Sequence, residues 1–370
     1  MRALAAALIL ACAPGSAVPS AAPSNAAAAG SSEFASLTVP RAVHTATRLV
    51  DGRVLIAGGF DAAGHGLASL EVFTPATGLF SALGTMRAVR YAHTATTLDD
   101  ERVLLAGGYD SSGVRLATAE IFDPRTNTTS VAGDLTAPRA DQTAVRLLDG
   151  RVLLVGGTGP GTMFLATAEV FDPTTARFRA VGSMAEPREA NTLTLLGDGR
   201  ALAIGGHHGR NPGTVVLASA EIFDPRTGTF GPTGSMTVRR AKHDAVLLPD
   251  GAVLVIAGAD ERDDRGAYTS VERYDPRTGA FTIAPSLTAA RYKIRDMTVL
   301  LPAGRVLVAG GAPRPELYAP SIGSSTLASL FGRAPMIGTA TLLDDGRVLL
   351  AGGYSLTGPA SRDAWLIRVP

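Results

Sequence analysis

Short apolar runs recur along the chain, and most of them end at a pair of glycines. Four clear examples are residues 53–57, 102–106, 151–155 and 347–351. Glycine pairs stand at 58–59, 107–108, 156–157, 205–206, 310–311 and 352–353, and Gly258 with Ala259 is a degenerate member of the series. Brief runs of Val, Ile and Leu that are bounded by glycine are typical of buried β-strands.

Turn signals divide the sequence around each run into four strands. Asp-Gly turns stand before the runs at 51–52, 149–150, 198–199, 250–251 and 345–346, and each follows another strand-like segment such as 44–49. After the glycines and a variable loop comes a third strand, such as 119–122, 168–171 or 220–223. An Asp-Pro-x-Thr-Gly turn, as at 224–228 and 275–279, leads to a fourth. The pattern predicts antiparallel units of about 49 residues.

Repeated four-stranded units of this length predict an all-β propeller, because each unit buries its faces only against neighbouring units. Apolar residues, a glycine pair and a spaced aromatic near a turn resemble the kelch repeat, here of the bacterial exported kind, over residues 33–370. The chain departs from that pattern in carrying Phe where kelch repeats often have Tyr and Trp. Its only tryptophan is Trp365.

Counting the units predicts a seven-bladed propeller. Six units begin near residues 41, 90, 139, 188, 240 and 291, whereas the last, from about 335, holds only three strands. The N-terminal segment 34–41 aligns with a fourth strand, and we expect it to complete the last blade and so close the ring. Six blades remain the alternative if the irregular stretch 312–334 forms no half-blade.

The first residues predict export. A basic start, a short apolar run and small residues describe a signal peptide over residues 1–12, and the segment 9–12 resembles a lipobox ending at Cys12. Cys12 would then be lipidated, and residues 13–32, rich in Ala, Ser and Pro, would form a flexible linker to the propeller at 33–370. Ordinary cleavage near residues 26–28, with loss of Cys12, is the alternative.

The charge and the cysteine content limit the kinds of partner that the protein is expected to bind. The net charge is +1, and the basic residues are interspersed with acidic ones, which argues against nucleic-acid binding. A single cysteine allows neither a disulfide nor a zinc cluster. Past residue 30 no segment is long and apolar enough to span a bilayer, so we expect membrane attachment only through a lipid anchor. A closed propeller has no need to pair, and we expect a monomer.

A repeated polar pattern opens each unit. In the first five units an arginine stands eleven residues before the hairpin glycine: Arg41, Arg90, Arg139, Arg188 and Arg240. In the last two units the same count reaches Lys293 and Pro335. Three residues further on stand His44, His93, Gln142, Asn191, His243, Asp296 and Gly338. These residues either hydrogen-bond neighbouring blades or form a funnel for an anionic or sugar ligand at one mouth of the channel.

The loops after the glycine pairs supply further candidates. The resemblance to kelch propellers implies that the loops joining strand 4 to strand 1 and strand 2 to strand 3 make one binding face. All six histidines fall on this face, and the fourth and fifth units offer a polar loop pair with His207, His208, Asp260 and Asp263. The histidines are scattered over several units and match no metal motif, so we expect no metal site. We expect the polar loop pair to contact a partner; the alternative is that it is only a solvated, charged surface.

These features favour a binding or scaffold protein of the cell envelope over an enzyme, with a protein or glycan as partner and no cofactor. A carbohydrate-active propeller, similar to an epimerase or a sialidase, is the alternative, although the Asp-box repeats of sialidases are missing. Galactose oxidases share the architecture but need a Cys–Tyr cofactor, and no cysteine lies within the propeller. The glycine pairs precede no helix and complete no phosphate-binding motif.

Overall fold

The predicted strands pair into seven four-stranded antiparallel sheets in a computed structural model, which describes residues 31–210, 212–327 and 335–369. The sheets are the blades of a propeller, numbered I to VII in chain order. Besides the strands, the described residues form three short 3₁₀ helices, Pro160–Thr162, Asp263–Gly266 and Pro302–Gly304. No helix among them is long and apolar enough to cross a membrane.

The strands of the first half follow the predicted order. Strand β1 is Ser31–Arg41. Blade I contains β2 (Thr45–Arg48), β3 (Val54–Ala57), β4 (Ser69–Thr74) and β5 (Leu79–Thr85). Blade II contains β6 (Thr94–Thr97), β7 (Val103–Ala106), β8 (Ala119–Asp123) and β9 (Thr128–Val131). Blade III contains β10 (Thr143–Arg146), β11 (Val152–Val155), β12 (Ala168–Asp172) and β13 (Arg177–Val181).

The second half adds one ribbon. Blade IV contains β14 (Thr192–Leu195), β15 (Ala201–Ile204), β18 (Ala220–Asp224) and β19 (Thr229–Pro232). The loop from β15 to β18 forms a separate two-stranded ribbon of β16 (His207–His208) and β17 (Val215–Val216). Blade V contains β20 (Asp244–Leu247), β21 (Val253–Ile256), β22 (Val271–Asp275) and β23 (Ala280–Ala284). Blade VI contains β24 (Thr298–Leu300), β25 (Val306–Val308), β26 (Glu316–Ala319) and β27 (Gly323–Thr326). Blade VII contains β28 (Thr339–Leu342), β29 (Arg347–Ala351) and β30 (Ser361–Arg368) together with β1.

The apolar runs become the second strand of each blade because neighbouring blades cover both of their faces. All four residues of β3, β7, β11, β15 and β21 are buried. The aromatic residue of the third strand fills the space between blades, as Phe73, Phe122 and Phe171 show at 0% exposure. The core is therefore a ring of apolar layers between blades, as a repeat architecture requires.

The glycine pairs connect the blades. The second glycine of each pair donates its backbone N–H to the carbonyl that opens the next blade, at 2.8 or 2.9 Å at every one of the seven junctions. In blade V the donor is Gly258, so the degenerate pair is Ala257–Gly258 and not Gly258–Ala259 as predicted. At the last junction Gly353 donates to Arg41 of blade I. A Cβ on Gly59 would lie 2.5 Å from the Ala42 carbonyl oxygen, and its φ is +93°. Glycine is needed here both for the close approach and for the left-handed backbone.

The recurring arginines lie inside the blades. In blades I to VI they are almost fully buried and ion-paired with a glutamate of the third strand, as in Arg139 with Glu169 at 2.7 Å. The pairs are Arg41–Glu71, Arg90–Glu120, Arg139–Glu169, Arg188–Glu221, Arg240–Glu272 and Arg291–Glu316. Each arginine also donates to the carbonyl of the first residue of the Gly-Gly pair or its equivalent, and each glutamate accepts backbone N–H groups from the incoming loop, as Glu169 does from Thr136. Each pair thus holds a loop against its own blade.

Blade VII draws its outer strand from the start of the chain. Strand β1 pairs antiparallel with β30 from Ser31 opposite Arg368 to Ser36 opposite Asp363. Ala35 and Leu37 point inward and pack with Phe73 of blade I. The strand begins at Ser31, two residues before the predicted propeller boundary.

The sixth blade corrects one prediction. The predicted count placed Lys293 in the arginine position, but the arginine that pairs with Glu316 is Arg291. In blade I, Arg41 lies four residues before Thr45, which begins the first strand and pairs with Ala57. In blade VI the equivalent of Thr45 is Met297, whose carbonyl accepts a hydrogen bond from the Ala309 N–H. Arg291 lies six residues before Met297. The entrance of blade VI is therefore two residues longer, and counting back from the hairpin misses this insertion.

Breaking one buried ion pair tests its structural role. We expect Glu169→Ala to lower the free energy of unfolding by about 3–5 kcal/mol, because it leaves the Arg139 guanidinium buried without its carboxylate. Urea unfolding followed by circular dichroism would measure this. Arg226→Ala, which removes one partner of an exposed pair with Asp224, is the control and should change little. Equal, small effects of both substitutions would contradict the assignment.

Candidate functional site

The entrance loops of the blades form a ring around one mouth of the channel. Seven residues of these loops adopt left-handed backbone, with φ between 48° and 58°: Val43, Ala92, Asp141, Ala190, Lys242, Lys293 and Ile337. Their backbones bond from blade to blade, as when Ala92 donates to Val43 and Asp141 donates to Ala92. Left-handed backbone is unfavourable for such residues, so the ring is held by the surrounding structure.

The ring residues and their neighbours enclose a mouth cavity of about 140 Å³. Below it lies a channel cavity of about 320 Å³, which is lined by the first strands of the blades. The two cavities share Thr45, His93, Arg295 and Asp296. The mouth face, defined by the entrance loops and the loops after the glycine pairs, thus leads into the interior of the propeller.

The arginines predicted as ligand-binding candidates do not line either cavity. Arg41, Arg90 and Arg240 are 0% exposed and their guanidinium groups bind glutamates. Sequence recurrence could not distinguish a ring of exposed arginines from a ring of buried ones. Of the two interpretations, a ligand funnel or a structural role, the structure supports the structural role, in which these arginines stabilise the scaffold.

The three predicted ring histidines join neighbouring blades. Nε2 of His44, His93 and His243 lies 3.2 Å from the hydroxyl of Thr339, Thr45 and Thr192, respectively, each on the preceding blade. Burial, with the charge of the nearby arginine, lowers the pKa of His93 and of His243 to about 3 and that of His44 well below its usual value. All three are therefore neutral near pH 7. They border the mouth cavity but carry no positive charge there.

Threonine hydroxyls line the channel cavity. The first strand begins with Thr45, Thr94, Thr143, Thr192 and Thr339 in blades I to IV and VII. Blade V carries Asp244 at this position. The Asp244 carboxylate accepts hydrogen bonds from the backbone and hydroxyl of Thr298, at 3.1 and 2.7 Å. Burial, and then the charge of Asp296, raises the pKa of Asp244 to about 7.

Arg295 crosses the channel. It lies in the longer entrance of blade VI, and its Nη2 donates to the Gln142 carbonyl of blade III at 3.0 Å. Its Nε lies 3.7 Å from Asp296 Oδ2. Arg295 therefore stands at the boundary between the mouth cavity and the channel cavity.

Two carboxyl groups face the mouth between blades III and IV. Asp141 accepts a hydrogen bond from the Tyr109 hydroxyl at 2.8 Å, and burial raises the pKa of Asp141. Burial and the charge of Asp141 raise the pKa of Glu189 to about 7. Within the described residues, no side chain hydrogen-bonds the Glu189 carboxyl. This part of the mouth therefore holds one carboxyl group, that of Glu189, that is poised to change charge near neutral pH, beside the Asp141 carboxyl, whose pKa is also raised.

An aromatic arc occupies the other side of the mouth face and spans blades VII, I and II. It consists of Tyr354, Phe60, Tyr91 and Tyr109, whose successive ring centroids are 6.4, 6.0 and 5.0 Å apart. All four side chains are half-buried. A cation sits over each end, with Lys293 5.6 Å from the Tyr354 centroid and Arg115 4.9 Å from that of Tyr109.

The predicted loop pair of blades IV and V does come together. His207, Asp260 and Asp263 line one cleft of about 240 Å³ with Lys242, but His208 does not line it. Asp260 is paired with Arg262 at 2.5 Å, and Asp263 with Lys242 at 2.5 Å. Burial lowers the pKa of His207 to about 4. In the part of the chain that the structure describes, no group of three or more His, Cys, Asp or Glu residues is placed to hold a metal ion.

Sequence reasoning missed much of this site. It did not select Asp141, Glu189, Asp244 or the aromatic arc, and it placed Asp296 in the ring without noticing Arg295. A usable signal was present, because Asp244 interrupts a series of threonines and the entrance of blade VI is too long. Departures from a repeat, more than its recurring residues, mark these positions.

The fold and the site define a closed seven-bladed propeller with one elaborated mouth face. The Kelch motif matches residues 90–128, which run from Arg90 through the Gly-Gly pair and the third strand to the beginning of β9. The chain is thus a kelch-repeat β-propeller. No curated protein matches it.

The buried carboxyl in the channel has a measurable consequence. Because the pKa of Asp244 is raised from 3.8 to about 7, the folded state favours the protonated form and loses stability as the pH rises from about 4 to about 7. Asp244→Asn removes this titration. We expect the free energy of unfolding of the variant, minus that of the wild type, to rise over this interval by at most about 4 kcal/mol.

Urea unfolding at about pH 4.5 and about pH 8 would measure the difference. Asp244→Thr, which also lacks the carboxyl group, should show the same trend and serves as a second variant. A difference that is constant with pH for both variants would contradict the assignment.

Proposed function

We propose that the protein is a non-catalytic binding module of the cell envelope that takes a protein partner on its mouth face. The observation that carries the proposal is the aromatic arc, because four adjacent aromatic side chains remain half-exposed together on the mouth face. Tyrosine, phenylalanine and arginine are the side chains enriched at protein interfaces and among their hot spots.

The charges around the arc support a defined orientation of the partner. Lys293 and Arg115 flank the arc, whereas Asp141, Glu189 and Asp263 lie on the mouth side formed by blades III to V. An apolar strip beside separated patches of opposite charge discriminates among partners by complementarity. A partner with an apolar segment beside basic groups would match this surface.

The proposal of a non-catalytic role rests on what the recurring polar residues do. The arginines are paired with glutamates. The Nε2 atoms of the buried ring histidines lie against threonine hydroxyls, and the pKa of about 3 for His93 and His243 makes them weak bases, so neither set is matched to acid–base catalysis near pH 7. The signal-like residues 1–12 and the linker-like residues 13–32 lie outside the described residues, apart from Ser31 and Ser32, which belong to β1. Their composition supports the export part of the proposal, with or without lipidation at Cys12.

One observation favours a second candidate, a carbohydrate-active enzyme. The pKa of Glu189 is raised to about 7, a value suited to a general acid, and Asp141 is near enough to contribute to this shift. Hydrolysis or epimerisation of a glycan that is lost in Glu189→Gln, with folding intact, would establish this candidate. Glycan binding without turnover would support a binding module that takes a glycan instead of a protein.

Variants on the two faces test the proposal. We expect Tyr91→Ala with Tyr354→Ala to weaken the binding of a partner captured from the cell envelope at least tenfold, since truncated hot-spot residues typically cost about 2 kcal/mol or more. The partner is first identified with the wild-type chain from residue 31 as bait, and its affinity for each variant is then measured by biolayer interferometry.

The matched control changes the opposite face. Leu148 is 72% exposed beside the Asp149–Gly150 turn, and Leu148→Ala removes apolar surface there without touching the mouth. Thermal unfolding of every variant shows that the fold is retained. Loss of binding in Leu148→Ala but not in the double variant would place the partner on the other face and overturn the proposal.

A further inference from the structure

Because seven blades share one plan, each blade serves as a reference for the others. A residue that recurs meets a need of the scaffold, whereas a costly departure at one blade calls for a separate explanation. Three such departures meet in the channel cavity: Asp244 in blade V, and Arg295 and Asp296 in the lengthened entrance of blade VI.

We propose that the channel cavity is a binding site for one neutral sugar, a polyol of monosaccharide size, held by Asp244, Arg295 and Asp296. The site is separate from the aromatic arc, so the proposal goes beyond the partner-binding function and does not rest on it. A volume of about 320 Å³ falls within the usual range for small-molecule sites.

The lining has the hydrogen-bonding character that a polyol requires. Five threonines line the cavity: Thr45, Thr94, Thr143, Thr192 and Thr339. The hydroxyls of all but Thr94 already bond to a ring residue, and a hydroxyl can both donate and accept. Aromatic side chains other than His93 are not among the residues that line it. A ligand with many hydroxyls can bond to such a ring from several sides, whereas a flat aromatic ligand finds no stacking partner.

Asp244 is the first departure, and it carries a cost. The same position holds threonine in blades I to IV and VII, so the scaffold does not require a carboxylate there. The residue is 9% exposed, and burying a charged group is unfavourable unless something binds it. Thr298 and the Ala245 N–H bond both of its oxygens, which fixes the carboxylate in place. A fixed carboxylate accepts hydrogen bonds from two neighbouring hydroxyls of a sugar.

The insertion in blade VI supplies the opposing group. Arg295 reaches the Gln142 carbonyl on the far side of the channel, and its guanidinium presents further N–H donors beside Asp296. Asp244 and Asp296 are close enough for the charge of one to affect the other. Acceptors and donors thus approach the cavity from blades V and VI together.

A further polar atom in the lining lacks a partner. Asn191 is 1% exposed and lines the channel cavity, and its Oδ1 has no hydrogen-bond partner among the described residues. A buried acceptor without a donor is unfavourable. A hydroxyl group in the cavity would satisfy it.

The charges argue for a neutral ligand over an anionic one. The cavity holds two carboxyl groups and one guanidinium, and that guanidinium already has Asp296 beside it. A carboxylate or phosphate ligand would approach two acidic groups, whereas sugar hydroxyls can donate to them. Arg295 also lies where the mouth cavity meets the channel cavity, so a ligand that enters by the mouth passes this side chain.

The test uses the chain from residue 31 and a set of neutral monosaccharides, namely glucose, galactose, mannose and myo-inositol, with glucuronate as the anionic comparison. Binding is measured by saturation-transfer NMR and isothermal titration calorimetry. We expect at least one neutral sugar to bind, and Asp244→Thr to weaken it at least tenfold. This variant introduces the threonine that five other blades carry at the same position, so we expect the fold to be retained and the melting temperature not to fall.

A second variant removes the insertion, and a third serves as the control. Deleting Arg295 and Asp296 together restores the entrance length of the other blades and should weaken the same sugar at least tenfold. Asp264→Thr makes the matched change at an exposed loop residue of blade V and should leave the affinity unchanged.

Three outcomes would overturn the proposal: no neutral sugar binds, glucuronate binds while the neutral sugars do not, or Asp244→Thr binds as tightly as the wild type. Partner binding on the mouth face is measured separately and tests the other proposal.

Discussion

The buried arginine that opens six of the seven blades is the interaction on which the structure depends. Its backbone carbonyl accepts a hydrogen bond from the second glycine, or its equivalent, of the preceding blade, as Arg90 does from Gly59. Its guanidinium binds the glutamate of its own blade and donates to the carbonyl of the first residue of that blade's glycine pair, as Arg90 does to Gly107. One residue therefore ties a blade to its neighbour and ties the entrance loop to the blade. Because its charge is fully buried, neither partner can be lost without leaving the other uncompensated.

The mouth face follows from this arrangement. The residue two positions after each arginine has left-handed backbone, as does Ile337 after Pro335 in blade VII, and these residues bond to one another around the channel. Side chains at these positions then project toward a common centre, whatever their chemistry. Val43, Ala92 and Ile337 contribute apolar groups on one side, whereas Asp141, Lys242 and Lys293 contribute charge on the other. The scaffold sets the geometry, and the individual blades set the chemistry.

Most of the fold could be predicted from the sequence, because strand periodicity, Asp-Gly turns and the repeat itself are local signals. The kelch-type propeller of seven four-stranded blades is confirmed. The site was harder to predict. The recurrence of Arg41, Arg90 and Arg240 carries no information on burial, since a buried and an exposed ring repeat with the same period. Arg295 was missed because counting back from the hairpin placed Lys293 at the arginine position, whereas the arginine that pairs with Glu316 is Arg291.

The pairing of β1 with β30 has a consequence for the order of assembly. The first described strand of the chain meets the last, so the seventh blade cannot be completed until residue 368 is available. Blades I to VI can form from neighbouring segments of the chain while the seventh blade is still incomplete. The entropy of closing a loop grows only slowly with its length, by about 0.6 kcal/mol for each doubling, so this late pairing is not prohibitive. Only a chain that includes β30 can therefore complete the ring, because a product truncated before this strand keeps an unpaired β1 at one edge and an open ring.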